Sequence, residues 1–234
     1  MTRSPFARIS VGVLFTPSVR PSCTFFSTGL AQLGADRVVL VAHDASGPPA
    51  IDWALDNPGR VAGLVLLNTY YHWTPGLRRP PAIALYSTPV LRAAARAVVR
   101  RRPALDRRLY AWQVGGFIRD PDVRATLVAQ LYKDFLPARP AFWRLNDDLL
   151  GTVLGRRRRV ADMRRFAPQV RVIFGARDRY LNARVARRFS RLFPNSELHL
   201  LDNAGHYVQV DEPAQVADLI AAEWHQATKP EYSG

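Results

Sequence analysis

The sequence predicts an α/β fold in which a mostly parallel sheet carries an inserted group of helices. Continuous apolar runs at Val38–Ala42, Val61–Leu67 and Val170–Gly175 are typical of parallel strands that are buried on both faces. The stretch from 70 to 166 shows helical patterns and no convincing strand. Strands on both sides of a long helical stretch favour one sheet with an insertion over a purely helical protein.

The first strand leads directly into a helix through the sequence Ala-His-Asp-Ala-Ser-Gly at residues 42–47. A strand-to-helix turn this sharp needs small side chains two residues before and two residues after its apex. Ala42 and Ser46 meet that requirement around Asp44. This spacing is that of a nucleophile elbow, which lifts one side chain above the sheet and beside a helix N-terminus. The turn therefore predicts Asp44 as a nucleophile.

Two other interpretations of this turn stay open. Asp44 or Ser46 would be an ordinary N-cap of the following helix, because Asp and Ser are both preferred at that position. Ser46 would be the nucleophile only if a small residue stood two positions earlier, and Asp44 occupies that position. The spacing favours Asp44.

The helical stretch after the second strand is rich in aromatic residues and suits a cap over the sheet edge. Its candidate helices are Ala82–Val99, Ala104–Phe117, Asp122–Phe135 and Ala141–Leu154, with breaks at Pro103, Gly115-Gly116, Pro137 and Pro140. We therefore predict an irregular or replaced N-terminal segment at 1–30, a core at 31–72 and 167–228, and a helical cap at 73–166. Within the first segment, Arg8–Phe15 is the only candidate strand.

The strand pattern resumes after the predicted cap. Val170–Gly175 runs directly into a segment that contains Asp178, and an amphipathic helix is predicted at Ala183–Phe193. Another strand, Glu197–Leu201, precedes a loop that contains His206. A last helix closes the pattern before the C-terminus.

Three reactive side chains each follow a strand of their own: Asp44, Asp178 and His206. The carboxyl ends of parallel strands meet at one edge of the sheet, where ligands bind in open α/β folds. The chain order is nucleophile, acid, histidine, which is the order in α/β hydrolases. We expect these three side chains to form a catalytic triad.

The motifs around these residues resemble the α/β-hydrolase superfamily over roughly residues 30–226. They are Val-Ala-His-Asp-Ala-Ser-Gly-Pro, the strand after Asn-Pro-Gly-Arg, Phe-Gly-Ala-Arg-Asp, and Asn-Ala-Gly-His-Tyr-Val-Gln-Val-Asp-Glu-Pro. The Asp nucleophile preceded by His looks like the haloalkane dehalogenase and epoxide hydrolase branch. The resemblance implies an α/β-hydrolase fold with a mostly parallel sheet and an inserted helical cap.

The resemblance also implies a two-step displacement that needs no cofactor and no metal. Asp44 would attack an sp³ carbon and form an alkyl ester, and His206, oriented by Asp178, would activate a water to hydrolyse it. The Ala45 N–H would be one oxyanion donor. Tyrosines of the cap protonate the leaving oxygen in epoxide-opening relatives, and the candidates here are Tyr86, Tyr110 and Tyr132. His43 is expected to point away from the apex.

The sequence departs from that branch at two places. Relatives usually carry a tryptophan after the nucleophile that helps to hold a halide, whereas this chain has Ala45, which counts more against dehalogenation than against epoxide opening. No His-Gly precedes Asp44, so the early strands and the loop with the second oxyanion donor look truncated or replaced. Alternatives to an active dehalogenase or epoxide hydrolase are therefore a catalytically defective truncated hydrolase, a binding protein without turnover, and an ester hydrolase.

Composition limits the other classes of function. The net charge of +14 comes almost entirely from arginine, but no zinc spacing, RNA-binding aromatic signature or helix-turn-helix accompanies it, and we attribute it to compositional bias. A single cysteine, Cys23, excludes an internal disulfide and fits a reducing compartment. No apolar run approaches the length of a membrane span. We expect a cytoplasmic protein that acts on a small apolar substrate, without a nucleic-acid or membrane partner.

Overall fold

A computed structural model of the chain describes residues 34–224. The candidate strand Arg8–Phe15 and the single cysteine Cys23 lie outside the described residues, as does the predicted irregular segment at 1–30.

The centre of the described structure is a four-stranded parallel sheet whose spatial order follows the chain order. Its strands are β1 (Val38–Asp44), β2 (Val61–Thr69), β3 (Val170–Gly175) and β4 (Ser196–Leu201). Each lies where the apolar runs predict a strand. Every residue of β2 and β3 is buried, because helices cover both faces of the sheet.

Helices outside the insertion cover the two faces. They are α1 (Gly47–Asp56), α8 (Ala183–Ser190), α9 (Val208–Asp211) and α10 (Pro213–Ala221), and a 3₁₀ turn at Pro58–Arg60 joins α1 to β2. On one face, Trp53 of α1 and Phe189 of α8 share a buried cluster with Phe174 of β3. On the other face, Val216 of α10 packs with Ile173.

The insertion, which we define as residues 73–166, is helical throughout its regular structure. Its helices are α2 (Pro81–Ser87), α3 (Pro89–Arg101), α4 (Pro103–Gly115), α5 (Pro121–Asp147), α6 (Leu149–Gly155) and α7 (Val160–Met163), with a 3₁₀ turn at Arg156–Arg159. It joins the end of β2 to the beginning of β3. The insertion therefore starts and finishes beside the two central strands of the sheet.

Several of the predicted helix boundaries in the insertion are wrong; the helix expected at Ala141–Leu154, for example, is divided at Asp148 between α5 and α6. A single helix was expected at Ala82–Val99, but the chain breaks at Thr88, because a residue before proline is disfavoured in the helical region. The break expected at Pro137 and Pro140 is absent, since α5 continues through both prolines. Arg139, between them, forms an ion pair with Asp106 of α4 and so ties this part of the helix to its neighbour.

In the part of the chain that the structure describes, no single helix is both long and apolar enough to cross a membrane. Only α2 and α3 taken together reach that length and composition, and they are bent by 109° where they meet.

Candidate active site

Asp44 lies at the apex of the turn between β1 and α1, in a backbone conformation that few residues other than glycine adopt. Its φ is 45°, in the left-handed region. Thr69 at the end of β2 donates a hydrogen bond from Oγ1 to the Asp44 carbonyl at 2.5 Å. Gly47 then passes so close to Thr69 that a Cβ there would lie 1.9 Å from the threonine hydroxyl. A strained apex and a close approach to the next strand are the features of a nucleophile elbow.

Ser46 has a structural place in this turn. Its Oγ accepts a hydrogen bond from the His43 N–H at 2.9 Å and donates one to the His43 carbonyl at 2.7 Å. Ser46 is the N-cap residue of α1, yet its side chain makes no capping hydrogen bond, and Asp44 is not the N-cap. Neither residue is therefore a side-chain cap of α1, and the Ser46 hydroxyl is engaged by the backbone of the turn.

His206 and Asp178 form a direct pair. His206 Nδ1 lies 2.7 Å from Asp178 Oδ2, and its other nitrogen, Nε2, lies 3.9 Å from Asp44 Oδ2. The second distance is longer than a hydrogen bond but keeps the imidazole facing the Asp44 carboxylate. The structure thus brings together the three residues that the sequence predicts as a triad.

Asp178 is fully buried and accepts hydrogen bonds on both carboxylate oxygens. Oδ1 accepts from the N–H groups of Tyr180 and Leu181, at 2.8 and 3.0 Å, and Oδ2 accepts from Asn68 Nδ2 at 2.7 Å. Burial opposes the charged form of Asp178, but the bond to His206 and the N–H groups of Tyr180 and Leu181 outweigh burial and hold the Asp178 pKa below its ordinary value. The donors also fix which oxygen faces His206.

Asn68 is a site residue that sequence reasoning missed. Its amide nitrogen binds Asp178, and its carbonyl oxygen accepts the Gly175 N–H at 2.9 Å, so one side chain links β2, β3 and the acid. Its φ of 28° lies in the left-handed region, which Asn tolerates better than most residues. The signal in the sequence was a polar residue that ends a wholly apolar strand.

The charges of the site are coupled. Burial disfavours protonation of His206, but its bond to Asp178 and the nearby Asp44 carboxylate outweigh burial and raise its pKa to about 10. Burial likewise acts against the Asp44 carboxylate, and the interaction with His206 overcomes it and lowers the Asp44 pKa. In the free protein at neutral pH, His206 is therefore an imidazolium between two carboxylates.

His43 supports His206 from outside the cavity. Its Nε2 lies 2.9 Å from the His206 carbonyl oxygen, and the two rings are 5.0 Å apart. Burial, followed by the charge of His206, lowers the His43 pKa to about 4, so His43 is neutral and donates its Nε2–H to that carbonyl. Its side chain does lie away from the cavity, as expected, but it contacts His206.

A cavity of about 580 Å³ lies between the carboxyl edge of the sheet and the insertion. Asp44, Ala45 and His206 line it on the sheet side, and residues of α2, α4 and α5 line it on the other. The Asp44 side chain is 45% exposed, and this exposed part faces the cavity. Among the described residues the Ala45 N–H has no hydrogen-bond acceptor, so it is free to act as an oxyanion donor.

The three tyrosines nominated from the sequence lie in different surroundings. Tyr86 and Tyr110 line the cavity. Tyr132 does not line it, because its hydroxyl donates to Asp106 Oδ2 at 2.7 Å and its ring packs against Tyr110. Tyr132 therefore lies outside the cavity that Asp44 faces.

Two tyrosines of the core, which sequence reasoning did not select, line the cavity and respond to the charge of Asp44. Tyr70 follows β2, Tyr207 follows His206, and both line the cavity. The pKa of each hydroxyl is raised, mainly by burial and secondly by the negative charge of Asp44. The pKa of Tyr110, about 12, is raised by burial and then by Asp134, with no contribution from Asp44. No sequence signal distinguished these tyrosines, since their direction depends on how the strand ends fold.

The described residues contain no group of three or more His, Cys, Asp or Glu side chains that could hold a metal ion. The polar groups that line the cavity include the Asp44 carboxylate, the His206 imidazole and several tyrosine hydroxyls.

The similarity to known proteins agrees with this geometry. Among curated proteins, the chain is 30% identical over 200 residues to haloalkane dehalogenase 2 of Mycobacterium tuberculosis. The aligned region covers 81% of this chain and 65% of that protein. It is 26% identical over 196 residues to the mouse (Mus musculus) sn-1-specific diacylglycerol lipase ABHD11. This alignment covers 82% of this chain and 61% of the lipase. The chain thus spans less than two thirds of the length of these relatives.

Solved structures share the fold at low sequence identity. A 2-hydroxy-6-oxo-6-phenylhexa-2,4-dienoate hydrolase from Rhodococcus sp. strain RHA1 superposes with a TM-score of 0.64 at 15% identity, covering 87% of this chain and 73% of that one. The esterase RhEst1 from Rhodococcus sp. ECU1013 superposes with a TM-score of 0.65 at 18% identity, and the match covers 86% of this chain and 71% of the esterase. The model of the Alpha/beta hydrolase family matches residues 16–219. The chain therefore belongs to the alpha/beta hydrolase family.

Proposed function

We propose that this protein is a hydrolase that opens a carbon–halogen or epoxide bond through an alkyl ester on Asp44. The observation that carries the proposal is the carboxylate at the apex of the elbow, which faces the cavity and the Nε2 of His206. A carboxylate suits displacement at an sp³ carbon because the resulting ester can be cleaved at its carbonyl carbon. The dehalogenase relative supports the same chemistry.

In the first step, an Asp44 oxygen forms a bond to the substrate carbon while the bond from that carbon to the halide or epoxide oxygen breaks. The lowered pKa of Asp44 keeps it ionised at neutral pH, as a nucleophile requires. His206, protonated at this stage, stabilises the carboxylate electrostatically. The first step therefore needs no base.

The second step needs a neutral His206, and the first step itself favours that state. Once Asp44 is an ester it carries no charge, so one of the two carboxylates that hold the proton on His206 is lost. The His206 pKa then falls, so the imidazolium gives up its proton, to the tyrosinate left by epoxide opening or to solvent after halide loss. The neutral imidazole then takes a proton from water as the water attacks the Asp44 carbonyl carbon. The Ala45 N–H stabilises the developing oxyanion. On collapse the bond from the Asp44 carbonyl carbon to the alkyl oxygen breaks, and the leaving oxygen takes the proton held by His206. The Asp44 carboxyl then gives its own proton to His206, which restores the carboxylate beside an imidazolium.

The leaving group distinguishes the two substrate classes. An epoxide oxygen leaves as an alkoxide and needs a proton, and the Tyr70 and Tyr207 hydroxyls are protonated donors whose pKa values respond to Asp44. Ala45 offers no indole N–H to a halide beside the nucleophile. These observations favour epoxide opening over dehalogenation.

An ester hydrolase with a serine nucleophile is disfavoured. The Ser46 hydroxyl is bonded to the backbone of His43, and Ser46 is absent from the cavity lining.

The test is a turnover assay with matched aliphatic epoxides, chloroalkanes and carboxylic esters. We expect diol formation from epoxides, its abolition in Asp44→Ala, and a modest loss in Ser46→Ala. Tyr70→Phe should slow epoxide opening more than Tyr132→Phe does. Unchanged turnover in Asp44→Ala, or turnover of esters alone with loss in Ser46→Ala, would overturn the proposal.

A further inference from the structure

We propose that the insertion docks on an anionic lipid surface and takes apolar substrate from it through the mouth of the cavity. This proposal concerns how substrate reaches the site and does not depend on the reaction at Asp44. It replaces our expectation from composition that no membrane is a partner, because the structure shows where the apolar and basic side chains lie.

Exposed apolar side chains are concentrated on the insertion. All twelve large hydrophobic residues that are exposed in the described structure lie between 73 and 154. Trp112 is 66% exposed and Trp73 57%, and exposed tryptophans are typical of surfaces that meet a membrane interface. A soluble surface normally scatters such residues singly, so their confinement to one segment indicates a contact face.

The exposed apolar residues reach the cavity. Trp73, Leu85, Leu109, Trp112 and Leu150 are exposed and also line it, so they form the rim of its mouth. On α4, Leu105 precedes Leu109 by four positions and Trp112 follows it by three, which puts the three side chains on one helix face. An apolar molecule that enters here passes from the lipid surface to the apolar rim of the cavity without crossing water.

The same segment holds nearly all the excess charge of the protein. Residues 73–166 contain 19 arginines and Lys133 against seven aspartates, a net charge of +13, whereas the whole chain carries +14. Arg107 and Arg108 lie on α4 beside the apolar stripe, are exposed, and form no ion pair with any described residue. Unpaired arginines next to exposed leucine and tryptophan are the combination that attracts a segment to anionic lipid.

Other partners fit these observations less well. A nucleic acid would use the arginines but would gain nothing from a leucine stripe, because such interfaces are polar and wet. A protein seated on this face would close the mouth of the cavity, since the rim residues belong to both. A lipid surface uses the charge and the apolar rim and also supplies the substrate.

The test measures co-sedimentation of the full chain with vesicles of phosphatidylglycerol and with vesicles of phosphatidylcholine. The double variant Leu109→Glu/Trp112→Glu is compared with Ala214→Glu/Gln215→Glu, which adds the same charge at exposed positions of α10. Circular dichroism verifies that both variants fold. Light scattering gives the oligomeric state, and a mobility shift with duplex DNA tests the competing partner.

We expect binding to phosphatidylglycerol that weakens as salt is raised, and weaker binding to phosphatidylcholine. The α4 variant should lose about tenfold or more in affinity, and the α10 variant should lose much less. If both variants lost the same vesicle affinity, the loss would come from the change in net charge alone, and the proposal would be overturned. Absence of vesicle binding, tighter binding to DNA than to vesicles, or a stable dimer that shields α4 would also overturn it.

Discussion

His206 Nε2 lies 3.9 Å from Asp44 Oδ2 while Nδ1 of the same ring lies 2.7 Å from Asp178 Oδ2, so one imidazole is shared between two carboxylates. The two contacts are unequal. Asp178 is buried and held by four donors, whereas Asp44 faces the cavity and is the group that a substrate would neutralise. The arrangement links the charge of Asp44 to the protonation of His206.

The first prediction is that removal of the Asp44 charge lowers the His206 pKa. Asp44→Asn imitates the uncharged ester, so the value should fall from about 10, because one of its two stabilising carboxylates is gone. The measurement is an NMR titration of ¹³C-labelled histidines, with the His206 signal assigned by its loss in His206→Gln. Ser46→Ala, which leaves Asp44 charged, is the control and should not shift the signal. An equal pKa in Asp44→Asn and the wild type would contradict the coupling.

The second prediction concerns stability against pH. The folded His206 binds its proton more tightly than the unfolded chain does, so the pair stabilises the fold fully below about pH 6.5, the unfolded value. That contribution, on the order of a few kcal/mol, is lost as pH rises from there towards 10. The difference in free energy of unfolding between wild type and His206→Gln should therefore shrink over this range. A difference that stays constant with pH would show that His206 titrates normally.

The third prediction is that Asn68 positions Asp178. Asn68→Ala leaves Asp178 and the Gly175 N–H each short of one hydrogen bond, at about 1–3 kcal/mol for each buried group. Asn68→Gly keeps the left-handed backbone free of strain and removes only the amide, so it separates the two effects.

Both Asn68 variants should slow hydrolysis of the intermediate more than its formation, and denaturant unfolding should rank Asn68→Gly above Asn68→Ala in stability. A wild-type rate for the second step in Asn68→Gly would show that the amide has no positioning role.

The fourth prediction tests the tight packing of the elbow. Gly47→Ala would put a Cβ 1.9 Å from Thr69 Oγ1, so β2 or the turn must shift and displace Asp44. Gly59→Ala is the matched control, since no atom lies within 4 Å of its added Cβ. Thermal unfolding should show a loss of roughly 1–3 kcal/mol for Gly47→Ala and little change for Gly59→Ala. Equal melting temperatures would refute the close approach.

The sequence predicted the sheet and the proximity of Asp44, Asp178 and His206 because both depend on local patterns. Buried parallel strands are continuous apolar runs, and the elbow requires small residues at fixed distances from its apex. Since strand ends of a parallel sheet share one edge, three reactive residues after three strands were bound to meet.

The boundaries inside the insertion could not be predicted because tertiary contacts decide them. Prolines within a helix cost about 3 kcal/mol, which favours a break at Pro137 and Pro140. The helix nevertheless continues through both prolines, and Arg139 between them pairs with Asp106 of a neighbouring helix, 33 positions away in the chain. The tyrosines that line the cavity near Asp44 could not be predicted for the same reason. Tyr132 donates to Asp106, whereas Tyr70 lines the cavity and its pKa responds to the charge of Asp44, and neither placement is encoded in a local spacing.

The measurement that tests the central claim most directly is the mass of the His206→Gln variant after one turnover with an aliphatic epoxide or chloroalkane. Without its base the variant should complete the first step only, so the account predicts an alkyl ester that accumulates on the peptide containing Asp44. Removal of Asp44 as well, in Asp44→Ala/His206→Gln, should abolish the adduct. An adduct on Ser46, or the absence of any adduct while wild-type protein turns over the same substrate, would contradict the account.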